Sequence, residues 1–207
     1  KTWDLHVTEA LRVSTDRNLD LISGSIAHVK KHVQEVIFDA EHYFDGFKAD
    51  KAYAIECLRR AFEAGSGTLV LCDTNGGCLP HEIRAVTEET MKSLPDANFG
   101  IHTHNDSDTA VASAVEAVRA GCMQVQGTIN GYGERCGNAN LCSIIPILEL
   151  KSDGLFRCLP EGKLARLTPI SHYVSEVCNL RPFMRQPYVG RSAFAHSSRM
   201  AIRSSSP

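Results

Sequence analysis

The chain alternates between two spacings of apolar residues. Short β-prone runs are each followed by a polar turn and then by a stretch with helical spacing, and the pattern returns roughly every 30 residues, which is typical of βα units. Five units are predicted from this pattern. Their strands are expected at Trp3–Val7, Glu35–Asp39, Thr68–Asp73, Phe99–His104 and Met123–Ile129.

Each predicted strand is followed by a predicted helix. The helices are expected within Asn18–Val33, Lys51–Ala64, Pro80–Leu94, Thr109–Ala120 and Ala139–Leu150. Several strand cores, such as Leu69-Val70-Leu71, are apolar without alternation, which indicates strands covered on both faces of a parallel sheet. Right-handed crossovers would then place the strands side by side.

The composition changes around Lys151–Lys163, where glycine, proline and charged residues become frequent. We therefore predict an α/β catalytic domain over residues 1–154. Residues 155–207 are predicted to form a linker region with one helix, Leu167–Asn179, and an irregular tail. A closed barrel needs eight βα units. Five units are thus compatible either with an open doubly wound sheet or with a barrel that lacks three units.

Charge and cysteine usage exclude several classes of protein. A formal net charge of −2 gives no reason to expect nucleic acid or a membrane surface as a partner. No apolar run approaches the ~18 residues that a membrane span requires. The eight cysteines contain no CxxC pair and lie mostly in apolar runs, so we expect reduced thiols in a cytoplasmic protein.

Polar residues gather where the predicted strands end, which is the rim that carries active sites in parallel α/β folds. His102-Thr103-His104 is the most informative group, because residues i and i+2 of a strand point to the same face. Two converging imidazoles could hold a divalent cation, or they could simply be hydrogen-bonded to each other. Asp39 and Glu41 would likewise share a face.

A glycine-containing loop, Asn130–Asn138, follows the last predicted strand. Asn138 stands where a helix N-cap is expected, and its amide oxygen could also bind a metal. Glu134 and Arg135 could form a structural ion pair or hold this loop in place. His28 and His32 have zinc-binding spacing on a helix, but with no third ligand nearby we interpret them as part of a solvated face.

Several segments together resemble the citramalate and isopropylmalate synthase family, which is related to hydroxymethylglutaryl-CoA lyase. The bacterial citramalate synthase branch is the most similar. The resemblance runs from about residue 1 to His196. It is carried by His102–Asp106, Gly127–Ala139, Trp3–His6, Phe38–Gly46, Leu71–Gly77 and Gln186–Gly190.

The resemblance implies an α/β fold, a partial TIM (β/α)8 barrel made of the last five βα units with the first three absent. It implies a divalent metal (Mg, Mn or Zn) bound by His102, His104 and Asn138. The keto-acid pocket would be lined by His6, Asp39, Glu41 and Thr74, with Glu41 and His6 as catalytic residues.

The implied activity is acyl transfer from acetyl-CoA to a small 2-keto acid, pyruvate giving citramalate, in branched-chain amino-acid biosynthesis. A homodimer is implied as well. Two alternatives remain: a 2-isopropylmalate synthase acting on 2-ketoisovalerate, and an inactive barrel remnant that serves as an interaction module. A lyase has less support, because only Cys136 suggests the lyase type of glycine loop.

The sequence also departs from the family pattern. The family's first strand, with an Arg-Asp pair that binds the enolate and the metal, has no counterpart here. The family's histidine after the segment matching Ala193–His196 is also unmatched in the serine-rich tail. We therefore expect these 207 residues alone to be inactive.

Overall fold

A computed structural model describes residues 1–195. Among these residues, four parallel strands form one sheet in the order β1-β2-β3-β4. The strands are β1 (Ile37–Ala40), β2 (Thr68–Asp73), β3 (Phe99–Thr103) and β4 (Gln124–Gln126). The strand order follows the chain without reversal. A doubly wound sheet would reverse direction at a switch point, so the order favours a barrel segment.

Eight α-helices accompany the sheet in the described part of the chain. They are α1 (Asp4–His6), α2 (Thr15–Lys30), α3 (Tyr43–Ala49), α4 (Lys51–Glu63), α5 (Pro80–Ser93), α6 (Ala110–Ala120), α7 (Leu141–Lys151) and α8 (Leu167–Val177). A π-helical turn, Val7–Leu11, and the 3-10 turns Ile129–Gly131 and Lys163–Arg166 complete the regular structure.

The core lies between the sheet and the helices that cover it. Leu69, Leu71 and Ile101 on the two central strands are fully buried, as are Leu58 and Ile83 on the covering helices. Burying a side chain of this size contributes about 1.5–3 kcal/mol. The continuous apolar runs of the sequence therefore mark strands that have no solvent-facing side.

The sheet register brings the carboxyl ends of neighbouring strands together. Cys72 pairs with His102, and His102 pairs in turn with Gln126. On the other side, Asp39 pairs with Val70. Residues that follow each strand therefore meet along one rim, as the polar pattern of the sequence predicted.

The predicted strand Trp3–Val7 is wrong. Asp4–His6 forms a helical turn and Val7–Leu11 a π-helical turn. The alternation in this segment resembles a strand, but Trp3, Val7 and Leu11 also recur at helical spacing. A strand needs a partner, and in the described residues no strand pairs with the outer edge of β1. The described sheet thus has four strands instead of the predicted five.

The other four strands and all six predicted helices are present with shifted ends, and β2 matches its prediction residue for residue. Helix α3 was not predicted. It follows β1 after only two residues, and its aromatic side chains Tyr43, Phe44 and Phe47 are buried. The predicted helix start near Ala139 is also corrected, because α7 begins at Leu141 with the Asn140 side chain as its cap.

Helix α8 packs against the glycine loop. Asn130 Nδ2 donates to the backbone oxygen of Ser171, and Tyr132 Oη lies 3.0 Å from Ser175 Oγ. The proposed boundary between residues 154 and 155 stays a prediction, and the part of the predicted irregular tail beyond residue 195 lies outside the described residues. None of the described helices has the length and apolarity to cross a membrane.

Candidate metal and substrate site

His102 and His104 turn their rings toward each other at the carboxyl end of β3. Their Nε2 atoms are 3.0 Å apart, and His102 Nε2 is 3.1 Å from Asn138 Oδ1. The predicted convergence of the two imidazoles is therefore confirmed. We call His102, His104 and Asn138 the histidine–asparagine cluster.

Backbone pairing holds Asn138 beside the two histidines. Asn138 forms an isolated antiparallel bridge with His104, and its N–H donates to Gly131 O. Gly137 adopts a φ of 101°, and a Cβ there would lie 2.2 Å from Gly131 O, so only glycine is tolerated. Because Asn140 caps α7, the amide of Asn138 is not used as a helix cap.

A carboxylate sets the tautomer of His102. Gln126 Nε2 donates to Asp39 Oδ1 at 2.8 Å, which leaves Gln126 Oε1 facing His102 Nδ1 at 2.8 Å. A carboxylate oxygen only accepts, so the Gln126 orientation follows, and His102 Nδ1 must carry a proton. The lone pair of His102 Nε2 is then directed into the cluster, as metal-binding histidines require.

Arg135 ties three loops together beside His104. Its Nε and Nη2 donate to the two carboxylate oxygens of Asp106 at 2.8 and 2.9 Å, and Nη2 also donates to Thr74 O. Nη2 lies 2.6 Å from His104 Nδ1. Burial first, and then the electrostatic influence of His102 and Arg135, lowers the pKa of His104. Arg135 also forms an ion pair with Glu134 at 3.5 Å, so both roles considered for these two residues are present.

A second group of side chains lies around the end of β1. The His6 and His42 rings are 4.1 Å apart between centroids, and Trp3 stacks on His6 at 4.8 Å with an interplanar angle of 18°. Glu41 adjoins His42. We call Trp3, His6, Glu41 and His42 the His6–His42 cluster. His6 reaches this rim from a helical turn and not from a strand end.

Glu41 and Thr74 are held by different partners. Lys1 Nζ forms an ion pair with Glu41. Burial alone would raise the pKa of Glu41, but the hydrogen bond and charge of Lys1, with a smaller contribution from His42, lower it overall. Thr74 Oγ1 accepts the His42 N–H at 2.8 Å. Thr74 therefore contacts both Arg135 and the His6–His42 cluster, and joins the two clusters into one hydrogen-bonded rim.

The donor atoms of the histidine–asparagine cluster suit a divalent cation. Two donors at right angles, each about 2.1 Å from a cation, lie about 3.0 Å apart. The two measured separations, 3.0 and 3.1 Å, have this spacing. A neutral imidazole that binds a metal through Nε2 carries its proton on Nδ1, so on coordination the His104 proton would move to Nδ1 and Arg135 would keep only its bonds to Asp106 and Thr74. In residues 1–195 no group of three His, Cys, Asp or Glu side chains is placed to hold a metal ion, and the third donor of this set is the amide oxygen of Asn138.

Other candidates do not join this rim. His28, in the last turn of α2, and His32, in the turn after the helix ends at Lys30, are both exposed, with their rings 5.2 Å apart. Cys136 is exposed, whereas five cysteines are buried, and burial raises the pKa of thiols such as Cys57 to about 11. Gln126 and His42 were missed by sequence reasoning. A glutamine in the short run Gln124-Val125-Gln126 and a histidine directly after Glu41 were the available signals.

The fold and the rim define a barrel-type parallel α/β protein with the histidine–asparagine cluster at the carboxyl ends of its strands. A family model described as HMGL-like matches residues 1–174. The chain belongs to the HMGL-like family. This membership confirms the resemblance and the prediction of a partial TIM barrel.

Curated relatives agree with this assignment. The chain is 53% identical over 196 residues to the (R)-citramalate synthase of Aquifex aeolicus and 54% identical to that of Geobacter sulfurreducens. It is 33% identical to the 2-isopropylmalate synthase of Caulobacter vibrioides. Each alignment covers 95% of this chain, and the chain spans about 37% of each relative's length.

Solved structures have the same fold. A hydroxymethylglutaryl-CoA lyase from Pseudomonas aeruginosa superposes with a TM-score of 0.71 at 15% identity, covering 87% of this chain and 62% of the lyase. A lyase from Acinetobacter baumannii, in complex with coenzyme A and 3-methylmalate, gives a TM-score of 0.69 at 14% identity, covering 94% and 65%. At these identities the likeness concerns the fold alone.

Proposed function

We propose that the protein condenses an acetyl thioester, acetyl-CoA, with a small 2-keto acid, as a citramalate synthase does with pyruvate. The observation that carries the proposal is the convergence of His102 Nε2, His104 Nε2 and Asn138 Oδ1 at the rim of a parallel α/β barrel. The 48–54% identity to bacterial citramalate synthases supports this substrate pair over others.

In this proposal His102, His104 and Asn138 hold a divalent cation (Mg, Mn or Zn). When bound, the cation supplies Lewis-acid polarisation of a carbonyl oxygen. Gln126 and Asp39 keep the His102 Nε2 lone pair directed at the cluster through their hydrogen bonds. Arg135 keeps the Asn138 loop against the ends of β2 and β3.

The remaining rim residues have roles in binding and proton transfer. Thr74, Asp39, His6 and Glu41 line the keto-acid pocket. A carboxylate or imidazole, Glu41 or His6, accepts a proton from the acetyl methyl group. The methyl carbon then bonds to the keto carbon, and water cleaves the thioester to release the thiol and a second carboxylate.

A second candidate is 2-isopropylmalate synthase, in which the keto acid is 2-ketoisovalerate. The 33% identity to such an enzyme over 95% of the chain favours it as the alternative. The two activities share all the steps above and differ in the volume that the pocket leaves for the keto acid's side chain.

The test uses the full-length gene product with acetyl-CoA and either pyruvate or 2-ketoisovalerate. Thiol release and product mass are followed with and without a chelator. We expect citramalate as the product and loss of activity with the chelator. We also expect kcat/KM to be at least about tenfold higher for pyruvate than for 2-ketoisovalerate, which equals about 1.4 kcal/mol of discrimination.

Substitutions test whether turnover needs the histidine–asparagine cluster and not histidines elsewhere in the chain. His102→Ala should abolish turnover, and His81→Ala, on an exposed histidine outside the rim, should leave it unchanged. Equal kcat/KM for both keto acids would remove the preference for pyruvate. Full activity of His102→Ala would refute the proposed metal site.

Three further expectations concern the location of the protein, its assembly and its domain boundary. We propose a cytoplasmic location, which the free cysteines support. A homodimer and the division at residues 154 and 155 are kept as predictions.

A further inference from the structure

His42 is a buried imidazole that the steps above do not use. The residue is 7% exposed, and its ring lies against His6 with Trp3 at 5.7 Å between centroids. Few histidines are buried this fully without a defined partner or task. Its position among residues proposed to line the keto-acid pocket therefore calls for a physical explanation.

Three of those pocket residues contact His42 or adjoin it. The His6 ring packs on it, the Thr74 hydroxyl accepts its backbone N–H, and Glu41 precedes it in the chain with Oε1 3.9 Å from His42 Nε2. On the other side of the ring, Nδ1 is 3.4 Å from Asp45 Oδ2, which also accepts a hydrogen bond from Asn75. His42 thus touches both His6 and Thr74.

The backbone of His42 is strained. Its φ and ψ are 60° and 31°, in the left-handed region, where residues other than glycine are uncommon. Such conformations persist when the surroundings over-determine them, and they cluster at functional sites. Burial, and after it the electrostatic influence of His6, lowers the pKa of His42.

We propose that His42 is a positioning residue for keto-acid binding, whose buried ring holds the His6 imidazole and the Glu41 turn in place at the rim. The inference rests on the proposed function and deepens it. The His42 ring packs on the His6 ring, so we assign His42 a role that acts through His6 and not through contact with the substrate.

Removing the ring should weaken substrate binding more than turnover. Asn tolerates the left-handed conformation, so His42→Asn deletes the ring without adding backbone strain. His6 could then move into the vacated space. We expect KM for the keto acid to rise about tenfold, equal to about 1.4 kcal/mol, with kcat changed less than about threefold.

His42→Phe is the conservative variant, because it keeps a flat ring against His6 and lacks the ring nitrogens. We expect it to return the keto-acid KM to within about threefold of the starting value. Two matched controls are available. Arg12→Asn changes another residue with a positive φ, 57°, that is exposed, and His81→Asn makes the same side-chain change away from the rim.

The experiment measures KM and kcat for the keto acid in the full-length gene product, together with Mn²⁺ affinity by calorimetry and Tm. Support requires a raised KM in His42→Asn, rescue in His42→Phe, and unchanged Mn²⁺ affinity in both. An unchanged KM in His42→Asn, or equal defects in the Asn and Phe variants, would overturn the inference. If the unsubstituted full-length protein has no condensing activity, the proposed function is refuted instead.

Discussion

Gln126 shows how a single amide can decide the chemistry of a neighbouring residue. It accepts from His102 Nδ1 and donates to Asp39 Oδ1, both at 2.8 Å. The carboxylate fixes the orientation of the amide, and the amide fixes the tautomer of the imidazole. Partners of this kind set the affinity of metal ligands even though they do not touch the metal.

Gln126→Met should therefore weaken divalent-cation binding about 10- to 100-fold, because His102 loses the acceptor that keeps its proton on Nδ1. Mn²⁺ titration by calorimetry measures the effect. Gln124→Met, on the same strand, is the matched control, since no residue in the described range 1–195 hydrogen-bonds the Gln124 amide oxygen. Similar Mn²⁺ affinities for both variants would show that the tautomer of His102 is set in another way.

At the scale of the helices, the packing of residues 1–6 against α3 positions the His6–His42 cluster. Thr2 donates through its N–H and its hydroxyl to Glu41 O, and Trp3 and His6 then reach the His6–His42 cluster. This approach needs a glycine. A Cβ at Gly46 would lie 2.2 Å from Thr2 O.

Gly46→Ala should destabilise the fold by about 1–3 kcal/mol, because the new methyl group forces the first segment away from α3. Urea unfolding measures the loss, and the keto-acid KM should rise with it. Gly24→Ala is the control. Gly24 lies within α2 with nothing within 4 Å of its added Cβ, so alanine there should stabilise the helix by about 0.5–1 kcal/mol. The hypothesis fails if Gly46→Ala is as stable as the starting protein.

At the scale of the whole molecule, the described sheet has two unpaired edges, one at β1 and one at β4. In the described residues β1 pairs only with β2, and β4 pairs only with β3. Ile37 on β1 is 40% exposed. Unpaired edges with exposed apolar side chains promote association between molecules.

The 207-residue chain alone should therefore self-associate at micromolar concentrations. Sedimentation velocity would detect this. Ile37→Lys should reduce the association by placing a charge on the edge. Val33→Lys should not, because that exposed valine lies outside the strands. A monomer that persists at high concentration would contradict the expectation. That this chain alone lacks condensing activity also stays a prediction.

The local pattern of the chain was enough for most of the architecture. Strands such as β2 and helices such as α5 carry their signals within a few residues, in unbroken apolar runs and in Pro80 at a first helical turn. The spacing of His102 and His104 likewise dictates that both side chains leave β3 on one face. These features depend on neighbours in sequence, so composition and spacing reveal them.

Other features depend on contacts between distant segments, and no local pattern reports them. Whether Trp3–Val7 is a strand depends on a pairing partner. The role of Asn138 depends on its bridge to His104, 34 positions earlier. The tautomer of His102 depends on Gln126 and Asp39, which three-dimensional packing brings together from separate strands. Folding thus places residues from distant parts of the chain side by side, and these contacts determine the chemistry of the rim.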